Sequence, residues 1–311
     1  MIHSRLTTLA PVILAIIGTV LSGCGGRPAI GELTATELFS VGMEAYEDED
    51  YLDAIDYFQA CIYNYPGRSV VDTAQYYLGL SYFGNEEYRV AEVEFGRLIS
   101  NYPASVYFEH AVFMRAVCAF ESAPDHFGLD QSELETALSR LEDFIIDFPE
   151  SELVPDAQEY IRIGRDRLAK KSYRAAIVYH RMGAYEAARK YFQHVIDEYT
   201  DTDWAARATY MLAEENLKLS NYDEARDGFE NFRVVFPDHE WADEAVDKAE
   251  EAAFKAAVRL FEAGELASAR ERLERFRDQY PSSDRVDDAN EYLQKITRAD
   301  GGAAEVTDVE S

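Results

Sequence analysis

The sequence is short of cysteine, tryptophan and basic residues. It has 3 Cys and 2 Trp in 311 residues, and 30 Lys and Arg against 59 Asp and Glu give a formal net charge of -29. So acidic a surface repels phosphate backbones, which argues against nucleic acid as a partner. Two of the cysteines, Cys61 and Cys118, occupy apolar helical positions in separate segments. We therefore expect buried free thiols rather than a disulfide.

Motifs that carry chemistry are also missing. No Gly-x-Ser-x-Gly element, P-loop or dinucleotide fingerprint follows residue 23, and the 6 His are not spaced as helical ligand pairs. The nearest approach to a zinc motif, His239-Glu240-Trp241-Ala242-Asp243, ends in Asp, and its acids suit the first turn of a helix. Acidic pairs such as Glu86-Glu87 fall in predicted turns, where solvated charge is expected. We predict no enzyme activity, no catalytic residue, no cofactor and no bound metal.

A long hydrophobic run occurs only at the N-terminus. Residues 6–20 are apolar, but 15 residues interrupted by Pro11 are too few to span a bilayer comfortably. Residues 1–23 are therefore predicted to be an export signal. The run ends in Leu21-Ser22-Gly23-Cys24, which resembles a bacterial lipobox, with Cys24 as the lipidated residue. The alternative is an ordinary secretory signal with a chance cysteine.

The residue after the lipobox cysteine bears on localisation. Gly25 stands there rather than Asp. By the sorting rule of similar lipoproteins, this favours the periplasmic face of the outer membrane, with the chain held by its lipid anchor. Several acyl chains make a stable anchor, because each buried CH₂ contributes about 0.8 kcal/mol.

Internal repetition dominates the rest of the chain. Six segments share an aromatic residue or Leu, then Ala three positions later, then Phe or Leu four positions after that. An aromatic residue follows eleven positions after each Ala, and a further Ala nine positions beyond it. The six central alanines are Ala54, Ala91, Ala137, Ala188, Ala225 and Ala269. Such constant spacing is typical of stacked structural repeats.

The repeat chemistry predicts pairs of helices. Ala lets a neighbouring helix approach closely, and the following Phe or Leu fills the space beside it. Pro follows the aromatic residue in five of the six segments and should end the helix there. The spacing matches the tetratricopeptide pattern over about residues 33–296. We predict an all-α fold, a right-handed tetratricopeptide-repeat solenoid of about six helical hairpins.

Departures from the repeat suggest how the chain is divided. Residues 24–32 are predicted to be a lipidated linker, 33–155 the N-terminal repeats one to three, and 156–296 a long helix followed by C-terminal repeats four to six. Repeat three carries an extra loop from Ser122 to Ser132, and no Pro interrupts residues 156–182. Residues 297–311 are predicted to be a disordered tail.

Several details together resemble BamD, the lipoprotein family of the bacterial outer-membrane β-barrel assembly machinery. A lipobox cysteine shortly precedes the first repeat, and repeat two reads Tyr76-Tyr77-Leu78-Gly79-Leu80-Ser81-Tyr82. The loop of repeat three contains Asp130-Gln131-Ser132, and the long helix contains Asp166-Arg167-Leu168-Ala169-Lys170. Tyr179 then precedes Gly183-Ala184-Tyr185 and Ala187-Ala188.

This resemblance implies a scaffold rather than an enzyme. Members of the family dock on the barrel-forming central subunit through their C-terminal repeats, and they engage unfolded outer-membrane β-barrel proteins through their N-terminal repeats. Another periplasmic tetratricopeptide lipoprotein, such as a secretion pilotin or a cell-envelope coordinator, is the alternative.

The sequence departs from the family in two places. A sixth repeat, centred on Ala269, lies beyond the usual five. Tyr191 stands where members often carry an arginine implicated in docking, so an identical salt bridge is in doubt. Arg189, Lys190 and Tyr191 are the predicted partner-docking residues.

The first helices of repeats one to three are predicted to line a peptide-binding groove. In a tetratricopeptide unit, positions two, five, nine and twelve of the first helix face the concave surface. Apolar and aromatic side chains there suit a peptide with bulky side chains. The alternative is that the rings pack between repeats. The predicted groove residues are Phe39, Met43, Tyr46, Tyr76, Leu80, Phe83, Phe113 and Phe120.

Overall fold

The computed structural model describes residues 27–307, with side chains as far as residue 299. The predicted export signal and Cys24 lie outside these residues. Within residues 27–307 the chain forms helices and no strand, after a short 3₁₀ turn at Ile30–Glu32 in the predicted linker. The helices are α1 (Ala35–Glu47), α2 (Tyr51–Asn64), α3 (Val71–Gly84), α4 (Tyr88–Asn101), α5 (Phe108–Ser122), α6 (Ser132–Asp147), α7 (Val154–Arg181), α8 (Tyr185–Glu198), α9 (Asp203–Lys218), α10 (Tyr222–Val235), α11 (Ala242–Glu262), α12 (Leu266–Gln279) and α13 (Val286–Thr307).

The helices stack in chain order. Each helix packs on the one before it and the one after it, and odd-numbered helices also meet across neighbouring hairpins, as α1 meets α3 and α7 meets α9. Six successive pairs from α1–α2 to α11–α12 thus form a solenoid, and α13 packs on its last hairpin. The predicted all-α solenoid of six hairpins is confirmed.

The repeated Ala and Phe positions form the core of each hairpin. Ala54 and Phe58, and likewise Ala91 and Phe95, are fully buried. A Cβ built on Gly79 would lie 2.7 Å from Cε1 of Phe95, so the first helix approaches its partner at van der Waals limits. The buried residues fall into four clusters along the stack, as expected where each repeat contacts only its neighbours.

The second helix of each hairpin ends at the aromatic residue of the repeat pattern. Tyr65, Tyr102, Phe148, Phe236 and Tyr280 are C-caps followed by Pro. The remaining case, Tyr199, caps α8 although Thr200 follows it. There Arg165 donates to the Glu198 carbonyl at 2.7 Å and pairs with Asp201, so a side chain on α7 binds the chain where it leaves the helix.

The long helix α7 joins the two halves of the solenoid. Its first turns contribute Tyr160 to the core of the third hairpin, and its later turns contribute Tyr173 to the core of the fourth. Pro155 sits in its first turn, where the missing N–H removes no helical hydrogen bond. None of the helices in residues 27–307 combines the length and apolar composition needed to cross a bilayer.

Two expectations outside the repeats have different outcomes. Cys61 and Cys118 are buried free thiols, as predicted, and burial raises the pKa of both. The tail predicted to begin at residue 297 is instead helical as far as Thr307. Ile296 is buried against the sixth hairpin and anchors α13 there, and extending an existing helix adds hydrogen bonds at low entropic cost.

Candidate functional site

The predicted groove residues of the first two hairpins lie on α1 and α3. Phe39, Met43 and Tyr46 on α1 are half-buried, as are Leu80 and Phe83 on α3. Part of each side chain therefore faces solvent between the two helices. These five residues keep the exposure that a peptide-binding surface requires.

Tyr77 lies at the centre of the rings behind this surface and was not among the predicted groove residues. Its ring centroid lies 5.4 Å from that of Tyr46, 6.2 Å from that of Phe39 and 5.6 Å from that of Tyr76. We call Phe39, Tyr46, Phe58, Tyr76, Tyr77 and Tyr107 the aromatic cluster. The adjacent pair Tyr76-Tyr77 was the available signal, because two neighbouring rings on α3 can reach both hairpins.

Tyr76 itself forms the inner side of the aromatic cluster. It is only 9% exposed, and its ring stacks on that of Tyr107 with centroids 4.5 Å apart and an interplanar angle of 12°. This side chain supports the surface rather than offering it to a ligand. Edge and offset contacts of this kind hold rings in defined positions.

Desolvation keeps the cluster hydroxyls protonated. Burial raises the pKa of Tyr46 and of Tyr77 to about 12, and it also raises the pKa of Tyr76. At neutral pH these groups are therefore uncharged hydroxyls that can donate as well as accept hydrogen bonds. The surface combines aromatic faces with neutral polar groups.

In the third hairpin the predicted groove residues are wrong. Phe113 is 1% exposed and Phe120 is 5% exposed, so neither side chain is accessible. Tyr160 of α7 meets both rings edge-on, with centroids 6.2 Å and 5.0 Å away, and the Arg167 guanidinium lies over the Phe120 ring. The long helix therefore covers these two rings.

A cavity of about 520 Å³ lies between the start of α5 and the turn joining α6 to α7. His110, Phe148 and Leu153 line it, with four carboxylates at Glu109, Asp147, Glu150 and Glu152. The Nδ1 atom of His110 is buried without a hydrogen-bond partner in the described chain, and its ring meets the edge of Tyr76. The cavity therefore adjoins the aromatic cluster, and no sequence pattern indicated it.

The predicted partner-docking residues lie together on α8, with different surroundings. Arg189 pairs with Glu186 at 3.1 Å and contacts Asn216 of α9, whereas Lys190 is exposed. The ring of Tyr191 stacks on that of Tyr179, with centroids 5.0 Å apart.

Exposed apolar residues extend this region. Val178, in the last turn of α7, is 55% exposed, and Met182, the C-cap of that helix, is 72% exposed. We call Val178, Met182, Lys190 and Tyr191 the α8 surface. It combines apolar area with one free cation, a composition that suits protein contact.

A buried carboxylate pairs with a half-buried histidine near the α8 surface. His180 Nδ1 is 2.6 Å from Oε1 of Glu215, which is fully buried, and the other carboxylate oxygen of Glu215 has no partner in the described chain. Burial raises the pKa of Glu215, although the hydrogen bond with His180 acts in the opposite direction. The pair ties α7 to α9.

The described residues offer no candidate metal site. Among them, no three His, Cys, Asp or Glu side chains are placed to hold a metal ion. His239, in the segment that resembles a zinc motif, accepts a hydrogen bond from the Trp241 amide through Nδ1 and packs on Phe232. These contacts hold His239 in the turn that leads into α11.

Comparison with known proteins gives two family matches. The model of a family described as outer membrane lipoprotein, YfiO, matches residues 31–226, and a tetratricopeptide repeat model matches residues 251–283. The first match covers α1 to α9 and reaches into α10. The second match begins within α11 and covers the rest of the sixth hairpin.

Individual proteins and a solved structure are also similar to the chain. The chain is 27% identical over 276 residues to the outer membrane protein assembly factor BamD of Caulobacter vibrioides, covering 86% of this chain and 88% of that protein. It is 26% identical over 239 residues to BamD of Rickettsia prowazekii, covering 76% and 94%. The TPR2AB domain of yeast Sti1, from a complex with pHSP90, superposes with a TM-score of 0.40 at 12% identity, covering 85% of this chain and 98% of that chain.

Proposed function

The chain belongs to the BamD family of outer membrane lipoproteins, and we propose that it is a lipid-anchored scaffold for assembling β-barrel proteins in that membrane. It binds unfolded β-barrel substrates at its N-terminal hairpins and the barrel-forming subunit at its C-terminal hairpins. Its relatives are named outer membrane protein assembly factors. The observation that carries the proposal is the partly exposed aromatic surface of α1 and α3, separated along one solenoid from the α8 surface.

Substrate binding rests on the surface of the first two hairpins. A β-barrel segment in its unfolded state is extended and presents bulky apolar side chains, which need a complementary apolar surface. Met43, Leu80 and Phe83 are half-buried. Their exposed parts can contact a peptide while their buried parts stay packed in the core. The neutral hydroxyl of Tyr46, a half-buried residue of this surface, supplies a hydrogen bond to peptide groups.

Docking of the barrel-forming subunit rests on the α8 surface. Arg189 is engaged by Glu186 and Asn216, so it is a poor replacement for the docking arginine of related proteins. Lys190 is exposed and forms the available positive charge. The apolar contact comes from Tyr191, Val178 and Met182, and rings of this kind often carry much of an interface energy.

The anchor completes the proposed role. Lipidation of Cys24 holds the solenoid on the periplasmic face of the outer membrane, where substrates arrive from the periplasm. No step in this role requires a bond to be made or broken, so shape and surface chemistry account for the function.

Depletion of the protein tests the role. We expect the levels of outer-membrane β-barrel proteins to fall while other lipoproteins remain, and we expect re-expression of the chain to restore them. Normal β-barrel levels after depletion would contradict the proposal and favour a secretion pilotin or a cell-envelope coordinator.

Peptide binding tests the groove separately. The double variant Met43→Ala, Phe83→Ala should bind labelled C-terminal peptides of β-barrel proteins about tenfold more weakly, since ~1.4 kcal/mol corresponds to that factor and apolar anchors contribute on this scale. Ile146→Ala is the matched control, because Ile146 is 75% exposed on α6, outside the groove. Equal loss in both variants, or no loss in the double variant, would place binding elsewhere.

A further inference from the structure

The segment before the first hairpin begins with Arg27, which pairs with Asp48, Asp50 and Asp53; we call these four residues the Arg27 cage. The guanidinium of Arg27 contacts Asp53 at 2.5 Å, Asp50 at 2.7 Å and Asp48 at 3.3 Å. All three acids belong to the turn between α1 and α2 or to the start of α2. The Arg27 side chain is only 20% exposed, whereas the three acids are more than half exposed. A guanidinium shared among three carboxylates fixes the position of the chain at this point.

The rest of the segment is bound along α2. The Tyr57 hydroxyl donates to the Pro28 carbonyl at 2.8 Å, and the Tyr65 hydroxyl donates to the Leu33 carbonyl at 2.7 Å. Thr34 then forms a capping box with Glu37 at the start of α1. Residues 27–34 therefore run along the outside of the first hairpin as a strap whose first residue lies at the α1–α2 turn.

The sequence places Cys24 three residues before Arg27. Three residues span at most about 10 Å even when fully extended. If Cys24 carries lipid, as the proposed function holds, the backbone of Arg27 lies within that distance of the lipidated residue. The Arg27 side chain then links this point to the α1–α2 turn. We propose that the Arg27 cage holds the α1–α2 turn on the membrane surface and thereby gives the solenoid one orientation toward it. This inference rests on the lipid anchor of the proposed function.

The composition of the turn indicates which kind of surface it meets. Glu47, Asp48, Glu49, Asp50 and Asp53 are exposed, and Arg27 offsets only one of their charges. The remaining negative charge is repelled by anionic headgroups and attracted by the ammonium groups of ethanolamine lipids. Leu52, in the same turn, is 64% exposed and supplies an apolar side chain. The partner is a zwitterionic phospholipid surface.

Spin labelling of the lipidated full-length protein tests the orientation. Leu52→Cys and Val234→Cys receive a nitroxide; Val234 is 72% exposed on α10 and serves as the distal position. Cys61 and Cys118 are buried, and the Cys24 thiol is acylated, so the label goes to the introduced cysteine. Accessibility to oxygen and to a water-soluble nickel complex is compared on vesicles of phosphatidylethanolamine and phosphatidylcholine.

We expect the label at position 52 to be accessible to oxygen and shielded from nickel, and the label at 234 to show the reverse. Arg27→Gln should abolish the shielding at position 52 while the protein still floats with the vesicles. Arg162→Gln, which removes an exposed Arg–Glu159 pair on α7, should leave the shielding unchanged. Replacing phosphatidylcholine with phosphatidylglycerol should reduce the shielding.

The outcomes separate this inference from the anchor itself. If the parent protein floats but position 52 is as accessible to nickel as position 234, the orientation is wrong and the anchor stands. If Arg27→Gln leaves the shielding intact, the cage is not its cause and the inference fails. If the parent protein does not float, the anchor fails and the orientation fails with it.

Discussion

Replacing Gly79 with Ala tests whether the solenoid depends on close approach of paired helices. A Cβ at this position would lie 2.7 Å from Cε1 and 2.8 Å from Cζ of Phe95. Phe95 is fully buried and packs on Tyr76, so its ring has little room to move away. Forcing an extra methyl into a packed core costs about 1–3 kcal/mol. Because Ala favours a helix over Gly by ~1 kcal/mol, we expect a net destabilisation of up to roughly 2 kcal/mol.

The matched control is Gly96→Ala on α4. A Cβ there meets only Nε of Arg115, at 4.0 Å, so the helix preference of Ala should stabilise this variant by about 0.5–1 kcal/mol. Thermal melting, monitored by circular dichroism, should show a lower transition temperature for Gly79→Ala than for the parent and a higher one for Gly96→Ala. Adding Phe95→Leu to Gly79→Ala should cost less than the two single changes summed, because the smaller side chain relieves the clash. Equal transition temperatures for the two Ala variants would refute the argument.

Three further predictions concern other parts of the chain. Folding raises the pKa of Glu215 above its ordinary 4.5, so the stability of the protein should fall as pH rises from that value through the folded-state pKa. Glu215→Gln should make the melting temperature less dependent on pH between pH 4 and 8. Parallel plots of melting temperature against pH for the parent and the variant would contradict this. Arg165→Gln removes the contacts with Asp201 and the Glu198 carbonyl, so hydrogen exchange should accelerate at the α8–α9 turn and not at the α10–α11 turn, with unchanged exchange as the contrary result. Cys24→Ala should accumulate as unlipidated precursor, and metabolic labelling with a fatty acid that still marks this variant would overturn the lipobox assignment.

The repeat spacing predicted the hairpins because it records packing that recurs in every unit. Ala91 and Phe95 occupy the same repeat positions in their hairpin as Ala225 and Phe229 do in theirs, and all four are fully buried. α8 ends at Tyr199, the aromatic position of its repeat, although no proline follows there. Its cap comes from Arg165, which lies 33 residues away from Glu198 and follows no repeat spacing.

The groove was predicted less completely because exposure depends on contacts between distant units. Position within the repeat placed Phe113 and Phe120 on the concave face, but Tyr160 of α7 covers them in this chain. Tyr77 was missed for the converse reason: its contacts with Phe39 and Tyr46 cross from one hairpin to the next. Periodicity describes one unit at a time, and the site forms between units.

The docking residues show the same limit on the α8 surface. Their proximity in sequence placed Arg189, Lys190 and Tyr191 together, but only the fold shows that Arg189 is engaged by Glu186 while Lys190 is exposed. Stacking of Tyr191 on Tyr179 depends on how α8 packs against α7. What these residues bind is a property of the partner as well as of this chain.

Affinity capture from detergent-solubilised outer membranes tests the scaffold role most directly. The full-length lipidated chain should recover the barrel-forming subunit, and the double variant Met182→Ala, Tyr191→Ala should lose it while keeping the helicity of the parent. Recovery of other envelope proteins without that subunit, from membranes that contain it, would contradict the proposed function.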